Sequence, residues 1–403
     1  MIGMIGAGAS GMAAAVTAAR LGAAVTVLER GPRAGRKLLA TGNGRCNITN
    51  RFAAPKRYAT SSPAALAGML ANASVEDVLQ FFDSLGLPTC EEEEGRFYPR
   101  CGLAGAVVDC LRLAMAELGV DLRTDSAVSS VRRTKRSFEV TLVSGERLYF
   151  DRLIVAAGGK ASEKNGGTED GLRILRALGH TILPVAPALS PLCTETEPVR
   201  PLKGIRVSCA LSAFEGGRLL RREEGEVLFA EFGLSGIAAM QLSTPIVRSK
   251  GPVTLRLDFF PDWEEGDLRA SLFWRREAFP CRALPEWLSG LLHRRVAEAL
   301  YKRCGLPLNR LSGSLTDAEI AALAAVMKRF DLPCTGVKPL PFAQATAGGA
   351  SLDEFDPETM ESRLVPGLYA AGEVLDAVGD CGGFNLHWAW VTGMAAGRAA
   401  ARG

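Results

Sequence analysis

The first thirty residues alternate between apolar runs and small, glycine-rich turns. Residues 1–5 are a short apolar run typical of a buried strand, and residues 11–21 predict a small-residue helix that ends near Gly22. A second apolar run, AAVTVLE, closes at Glu29. The order strand, helix, strand predicts a βαβ unit at the start of the chain.

The turn between the first strand and the helix has the spacing G-x-G-x-x-G, with glycines at Gly6, Gly8 and Gly11. Gly6 permits the tight turn, Gly8 lets a pyrophosphate approach the backbone, and Gly11 allows the helix to pack closely on the strand. The helix N-terminus has free N–H groups for phosphates, and Glu29 can accept the hydroxyl groups of an adenosine ribose. The unit predicts an adenine-dinucleotide site, and because Glu29 disfavours a 2′-phosphate, FAD or NAD is favoured over NADP.

A long turn-rich passage follows Glu29, where a plain NAD-binding domain continues into a crossover helix. Residues 30–50 read RGPRAGRKLLATGNGRCNITN and contain four glycines. Long loops in compact domains are commonly functional, and this loop suits a ligand that extends past the pyrophosphate into a flat ring system. The alternative is a surface loop without function. The passage therefore favours FAD over NAD.

A second junction of strand and glycine turn is predicted in the middle of the chain. Residues 126–143 alternate like the strands of a hairpin, and the apolar run that follows ends in AAGGKA at residues 156–161. This second strand that ends in a glycine turn points to the same kind of site as the first.

A third junction is predicted near the C-terminus. The run LYAAGE predicts a strand that ends at Gly372 and Glu373, and a helix is predicted from about Asn385. The N-terminus of that helix can stabilise the negative charge of a reduced flavin. Glu373 and Asp376 can bind ribityl hydroxyls, and the alternative for Glu373 is an ordinary strand-end carboxylate.

The remainder of the chain changes its pattern twice. Residues 190–260 alternate in short strand-like runs typical of an antiparallel barrel or sandwich. Residues 266–331 have helical periodicity, and Thr316 followed by Glu319 predicts a capping box at the start of one helix. The 403 residues also exceed one ordinary core, so two or three domains are expected.

Composition narrows the class of protein. The 47 basic and 44 acidic residues give a net charge of +3, which indicates neither a nucleic-acid partner nor an anionic membrane. The ten cysteines are scattered without a C-x-x-C pair, so no metal site or dithiol redox motif is expected. No stretch approaches the ~20 apolar residues of a membrane span, and no targeting segment is recognised. We expect a cytoplasmic enzyme with a small-molecule organic substrate.

Four blocks of sequence resemble a known family. They are GAGASGMAAA, GRKLLATGNGRCNITN, GLSGIAAMQLS and TMESRLVPGLYAAGEVLDAVGDCGGFNLHWAWVTG. Together they resemble the BaiN/YhiN-like family of FAD-dependent oxidoreductases, which includes proteins described as aminoacetone oxidases and bile-acid ene-reductases. The resemblance covers the chain from end to end.

The resemblance implies an α/β fold, in which a glutathione-reductase-like FAD-binding Rossmann domain carries an inserted small antiparallel β-barrel and an inserted helical domain. The boundaries expected from it and from the pattern are 1–187 for the first part of the FAD-binding domain, 188–264 for the barrel, 265–334 for the helical domain and 335–403 for the C-terminal part of the FAD-binding domain.

The resemblance also implies the cofactor contacts, residue by residue. The residues expected along the FAD are Gly6, Gly8, Ala9, Ser10, Gly11, Glu29, Arg30, Lys37, Thr41, Gly42, Asn43, Cys46, Asn47, Val128, Ala157, Gly158, Thr168, Gly171, Gly372, Glu373, Asp376, Gly383, Phe384, Asn385 and Leu386. Residues 164–172 read KNGGTEDGL, where the family pattern is closer to TGSTGDGY, so the contacts of this loop are less well specified.

Two candidate side chains have alternative interpretations. His387 stands where the family pattern often has Gln, and it is either a catalytic residue or a hydrogen-bonding replacement on the helix. Cys46 is either a reactive thiol or a residue packed near the ring system, and the absence of a neighbouring Cys in the sequence favours packing.

Three classes of function follow. The first is an ene-reductase that acts on a conjugated enone such as a 3-oxo-steroid, with NAD(P)H as hydride donor and transfer through flavin N5. The second is an amine oxidase that uses O₂. The third is a non-enzymatic or RNA-associated role, against which the near-neutral charge weighs. No second G-x-G-x-x-G follows a strand, so no separate NAD(P)H site is evident. This absence disfavours a pyridine-nucleotide reductase, although a hydride donor can visit the flavin face directly.

Overall fold

The computed structural model describes all residues, 1–403. Its helices are α1 (Ala9–Arg20), α2 (Arg36–Leu39), α3 (Pro63–Leu70), α4 (Val75–Asp83), α5 (Ala104–Glu117), α6 (Asp170–Ala177), α7 (Ile237–Val247), α8 (Glu265–Ala278), α9 (Leu284–Trp287), α10 (Arg294–Arg303), α11 (Asp317–Lys328) and α12 (Phe384–Arg402).

The strands are β1 (Ile2–Ile5), β2 (Val25–Leu28), β3 (Thr49–Asn50), β4 (Tyr58–Ala59), β5 (Thr89–Glu92), β6 (Arg96–Pro99), β7 (Asp121–Arg123), β8 (Val128–Arg133), β9 (Phe138–Leu142), β10 (Arg147–Phe150), β11 (Arg152–Val155), β12 (Ile182–Ala188), β13 (Leu192–Thr194), β14 (Arg206–Glu215), β15 (Arg218–Ala230), β16 (Gly233–Ser235), β17 (Val253–Asp258), β18 (Phe330–Val337), β19 (Ala345–Ala350), β20 (Leu368–Ala370) and β21 (Val378–Gly379).

By its contacts, the chain forms two compact units. Residues 1–188 and 340–403 form the first, and residues 189–339 form the second. Each unit has its own cluster of buried apolar side chains. None of the helices in either unit is both long and apolar enough to cross a membrane.

The first unit is built around a five-stranded parallel sheet in the order β20-β11-β1-β2-β7. Ile2 of the central strand β1 is in register with Val25 of β2 and with Arg152 of β11. Every residue of β1 and β2 is buried, as expected for parallel strands covered on both faces. The predicted βαβ unit is confirmed.

Two helices from opposite ends of the sequence pack tightly in this unit. A Cβ atom at Gly393 of α12 would collide with the backbone oxygen of Ser10 in α1, and one at Gly397 would collide with that of Ala14. The small residues of both helices therefore allow their backbones to touch, which holds the turn after β1 against the C-terminal helix.

Smaller antiparallel sheets complete the first unit. Strands β8, β9 and β10 form the hairpins predicted over residues 126–143 and their continuation. β6 pairs with β3 on one side and with β5 on the other, β4 pairs with β21, and β12 pairs with β19. The pairs β3–β6 and β4–β21 place the segment after the glycine loop beside the start of α12.

The second unit contains a closed antiparallel barrel in the order β13-β16-β15-β14-β17-β18, and helices. The predicted α/β class with an antiparallel barrel and a helical segment is confirmed. The capping box is also confirmed, since the Thr316 hydroxyl accepts from the Glu319 amide and the Glu319 carboxylate accepts from the Thr316 amide. We propose that the barrel and the helices correspond to the two insertions at 188–264 and 265–334, with β18 returning to close the barrel.

Candidate functional site

The glycine turn after β1 contains two glycines that the packing of the protein requires and one that it does not. A Cβ atom at Gly6 would lie 2.6 Å from the Ala156 oxygen, and one at Gly11 would collide with the Gly6 oxygen. A Cβ atom at Gly8 would meet no atom within 4 Å. The turn therefore leaves an open space above Gly8, at the N-terminus of α1, which no side chain caps. This is the cradle that a pyrophosphate requires.

Glu29 lies beside this cradle. One oxygen of its carboxylate accepts from the Ala7 amide at 2.9 Å, and the other accepts from the Gly31 amide at 2.8 Å. The carboxylate is therefore fixed in position while each oxygen retains capacity to accept a further bond. The arrangement fits the predicted contact with ribose hydroxyls.

The glycine loop has an unusual backbone. Gly42, Asn43, Gly44 and Cys46 all have positive φ angles, between 54° and 84°. Two of these four residues are not glycine, and such conformations are costly for side chains with a Cβ atom. The loop is thus held by its surroundings in a strained backbone conformation.

The environment of Cys46 decides between its two interpretations. Its side chain is fully buried, and burial raises the pKa of the Cys46 thiol to about 11. Because only the thiolate is strongly nucleophilic, the burial and raised pKa of Cys46 favour the packing interpretation.

Residues 47–50, which we call the NITN segment, run along the glycine turn and first turn of α12. The Asn50 side-chain amide donates to the Gly382 oxygen at 2.8 Å. The Thr49 hydroxyl lies 2.8 Å from Nδ1 of His387. A Cβ atom at Gly383 would lie 2.8 Å from Oδ1 of Asn47, and that buried oxygen has no hydrogen-bond partner within the protein. The two motifs NGRCNITN and GGFNLH therefore form one structure.

The start of α12 is shaped by its own residues as well. The Asn385 side chain accepts from the Gly379 amide and donates to the Gly379 oxygen, both at 2.8 Å. The Tyr58 hydroxyl donates to the Phe384 oxygen at 2.8 Å. Gly383 precedes the helix with a φ of 99° and provides no side-chain cap. A second uncapped helix N-terminus is thus presented at the site.

The two predicted ribityl carboxylates are both engaged in the protein. Glu373 forms an ion pair of 2.6 Å with Lys37 and accepts from the Thr346 amide at 2.9 Å. Asp376 is buried and accepts from the Ser61 amide at 2.7 Å. The Lys37–Glu373 pair connects the segment before the glycine loop to the end of β20, so the structure brings these two predicted residues together.

Other predicted residues lie farther along the first unit. Gly158 follows β11 with a φ of 75° and open space beside it. A Cβ atom at Gly171 would press on Ala157 and Val374, and Arg30 is half exposed and paired with Asp170 at 3.3 Å.

The remaining predicted residues have these places. Ser10 donates to the Ala371 oxygen at 3.3 Å, beside Gly372, and the Thr41 hydroxyl donates to the Leu38 oxygen. The Thr168 hydroxyl accepts from the Asp170 amide, and the Val128 oxygen accepts from Arg173. Ala9 is the first residue of α1, and Leu386 is half buried in α12.

Sequence reasoning missed several residues that hold the site together. The indole N–H of Trp388 donates to the Gly372 oxygen at 3.0 Å, and the Thr392 hydroxyl accepts from the Gly372 amide at 3.0 Å. Trp388 and Thr392 are four residues apart on one face of α12, so their helical spacing is the signal that could have identified them. Thr49 and Thr346 carried no local signal, because their partners are distant in sequence.

His387 is the only candidate for acid–base chemistry in the predicted set. Its side chain is 3% exposed, and burial lowers the pKa of His387 to about 4. The imidazole is therefore neutral at physiological pH, and the imidazolium form that could act as a general acid is scarcely populated. The structure favours the hydrogen-bonding interpretation of this residue.

The parallel sheet, the open glycine turn and two uncapped helix N-termini define a Rossmann-type dinucleotide-binding protein. Residues 1–399 match the HI0933-like protein Rossmann domain family, and the chain belongs to that family. It is an FAD-dependent oxidoreductase.

Two curated relatives span almost the whole chain. A 3-dehydro-bile acid delta(4,6)-reductase of Clostridium scindens is 36% identical over 99% of this chain and 98% of its own length. A ribosomal RNA dihydrouridine synthase of Escherichia coli is 30% identical over 97% of this chain and 96% of its own length.

A solved structure has a similar fold. It is the 3-ketosteroid delta1-dehydrogenase of Sterolibacterium denitrificans in complex with 1,4-androstadiene-3,17-dione, with a TM-score of 0.51, 15% identity and coverage of 99% of both chains. At this identity, the comparison shows a common fold.

Proposed function

We propose that the protein reduces a carbon–carbon double bond conjugated to a carbonyl in a steroid-like small molecule, with NAD(P)H as the hydride donor. The observation that carries this proposal is the 36% identity, over nearly the entire length of both chains, to a 3-dehydro-bile acid delta(4,6)-reductase. The raised pKa of buried Cys46 and the lowered pKa of His387 agree with it, because the redox chemistry then belongs to the cofactor.

The residues of the first unit fit FAD. The space above Gly8 and the N-terminus of α1 would hold the pyrophosphate, and the fixed carboxylate of Glu29 would bind the ribose. The N-terminus of α12 would face negative charge on the reduced ring. When bound, FAD supplies hydride transfer at its N5 position. The ion pair of Lys37 with Glu373 would hold in place the two chain segments on either side of the FAD.

A second candidate is the reduction of uridine in RNA, which the 30% identity to a ribosomal RNA dihydrouridine synthase favours. Uridine reduction also saturates a double bond conjugated to a carbonyl, so the two candidates belong to one class of reaction. RNA binding depends strongly on Lys and Arg contacts to phosphates, and the net charge of +3 on 403 residues offers little excess of them. We therefore place the small-molecule substrate first.

An anaerobic experiment in two stages tests the proposal. In the first stage, the flavin absorption of the purified yellow protein is followed after addition of NADH or NADPH, and we expect bleaching. In the second stage, a 3-oxo steroid with a conjugated double bond is added to the bleached protein, and we expect the oxidised spectrum to return with formation of the saturated product.

The other outcomes assign the alternatives. Reoxidation by unmodified ribosomal RNA and not by the steroid would favour the RNA substrate. Bleaching by an amine such as aminoacetone and by neither nicotinamide would overturn the reductase proposal in favour of an amine oxidase.

A further inference from the structure

The imidazole of His387 is held on one side only. Its Nδ1 atom lies 2.8 Å from the Thr49 hydroxyl oxygen, and no other hydrogen bond involves the ring. His387 is 3% exposed and Thr49 is fully buried. Nε2 makes no hydrogen bond within the protein, and it is not one of the fully enclosed polar atoms that lack a partner, so it can bond to a group from outside the chain.

The hydrogen-bond inventory of the pair selects one tautomer. If Nδ1 carried the proton, it would donate to Thr49, and the hydroxyl proton of Thr49 would have no acceptor in the protein, because the hydroxyl has no other partner. If the Thr49 hydroxyl donates to Nδ1, its proton is satisfied and Nε2 carries the proton of the neutral ring. The second arrangement avoids a buried O–H group without an acceptor and is therefore favoured.

No group of the protein accepts a hydrogen bond from the protonated Nε2. His387 closes the first turn of α12, where its amide donates to the Gly383 oxygen at 2.9 Å. That turn belongs to a 19-residue helix whose N-terminus has no side-chain cap. Oδ1 of Asn47, which is buried and unpartnered, lies against Gly383 at the same turn. One buried polar atom without a partner, Oδ1 of Asn47, and one ring nitrogen without a protein partner, Nε2 of His387, thus belong to the same helix N-terminus and indicate a ligand at this place.

We propose that Thr49 is a positioning residue that fixes neutral His387 in the tautomer with a protonated Nε2, and that Nε2 donates a hydrogen bond to an acceptor atom of the FAD ring system. The inference rests on the proposed FAD site in the first unit. It assigns to His387 the role of a neutral hydrogen-bond donor.

The donor has a consequence for the redox properties of the cofactor. A hydrogen bond to an acceptor that gains negative charge on reduction stabilises the reduced form more than the oxidised form. Loss of the correct tautomer therefore makes the flavin midpoint potential more negative, without a requirement for any change in the fold.

Nitrogen NMR of the holoenzyme tests the tautomer directly. The protein is labelled with ¹⁵N-histidine, and the signals of His387 are identified by their loss in His387→Gln. At neutral pH, we expect Nε2 to be protonated and Nδ1 unprotonated. We also expect the Nε2 proton to shift when dithionite reduces the flavin. A protonated Nδ1, or an Nε2 signal that is unchanged on reduction, would overturn the inference.

Variants of Thr49 show whether its hydroxyl positions His387 or whether Thr49 only fills space. Thr49→Val removes the hydroxyl while keeping the shape, and it should mix the tautomers and make the midpoint potential more negative. Thr49→Ser restores the donor and should restore both properties. Thr194→Val, a change at a buried threonine of the second unit, is the control and should change neither.

The failures of the two proposals are distinguishable. If the wild-type protein takes up no FAD, the proposed function fails. If it takes up FAD and Thr49→Val leaves both the tautomer and the midpoint potential of wild type unchanged, only the role of Thr49 and His387 fails.

Discussion

At the scale of single residues, the site divides into positions that packing explains and positions that only a ligand explains. Gly6 and Gly11 are glycines because any side chain would collide with the backbone. Gly8 has open space beside it, and Nε2 of His387 has no hydrogen-bond partner within the protein. Residues of the second kind are the ones that identify a binding site, and they are few.

Cys46 should be unreactive in the folded protein, because burial raises the pKa of its thiol to about 11 and covers the sulfur. Brief treatment with iodoacetamide at neutral pH, followed by mass spectrometry, should label the exposed Cys101 and Cys281 and leave Cys46 unmodified. These two exposed residues are the internal control. Modification of Cys46 at a rate similar to theirs would restore the reactive-thiol interpretation.

His387 should make the stability of the protein depend on pH. Burial lowers its pKa from the ordinary value of 6.5 to about 4. Between these two pH values, the unfolded chain therefore binds a proton that the folded protein does not bind. The stabilisation is therefore complete above pH 6.5 and is lost as the pH falls toward 4.

The linked free energy is on the order of 3 kcal/mol. Urea denaturation of the FAD-free protein between neutral pH and about pH 4 should show this fall, and His387→Gln should flatten it. Burial also lowers the pKa of His180, so part of the slope should remain in the variant. A pH profile identical to that of wild type would contradict the assigned burial of His387.

At the scale of elements, the helices and strands that depend on residues close in sequence were predicted correctly from local patterns. The strand, helix, strand unit and the capping box at Thr316 follow from spacing alone. The helix α7 was not predicted, because IAAMQLSTPIV contains β-branched residues and Pro245 within a region of strands. Its packing against β15 in the barrel overrides these local preferences.

The candidate site was predictable only in part for a similar reason. The motifs NGRCNITN and GGFNLH were recognised separately as cofactor motifs, but more than 300 residues separate them. Their mutual contacts, Thr49 with His387 and Asn50 with Gly382, arise from the fold. No periodicity or local spacing could indicate which of their polar groups bind each other and which remain for a ligand.

The close contact of α1 with α12 gives a prediction at this scale. Gly393→Ala places a Cβ atom against the Ser10 backbone, so it should destabilise the protein by about 1–3 kcal/mol by overpacking and weaken FAD retention by displacing the turn. Gly105→Ala in α5 places its Cβ atom in open space and should be neutral or stabilising by about 0.4–1 kcal/mol. Chemical denaturation of the two variants checks both values. Equal stability of the two variants would contradict the close packing.

At the scale of the whole molecule, the chain comprises two units with separate cores. The cradle at Gly8, the carboxylate of Glu29 and the start of α12 all belong to the first unit. Residues 189–339 contain the complete six-stranded barrel and five helices, so no strand of the barrel is lost when this segment is separated.

Residues 189–339 should therefore fold when produced alone and should be colourless. We expect a cooperative thermal transition and a circular dichroism spectrum of mixed strand and helix, with no bound FAD. A fragment that remains unfolded would show that its core depends on the first unit, and a yellow fragment would place the flavin site elsewhere.

The central claim is that the open turn at Gly8 holds FAD, and one comparison tests it most directly. Wild type and Gly8→Ala are purified in parallel, and the FAD released on denaturation is measured per chain, together with the melting curves of the FAD-free proteins. Since a Cβ atom at Gly8 meets no protein atom within 4 Å and its φ of −83° suits alanine, we predict equal melting of the FAD-free proteins and a large loss of FAD from the variant. Gly8→Ala that retains FAD as well as wild type does would contradict the account.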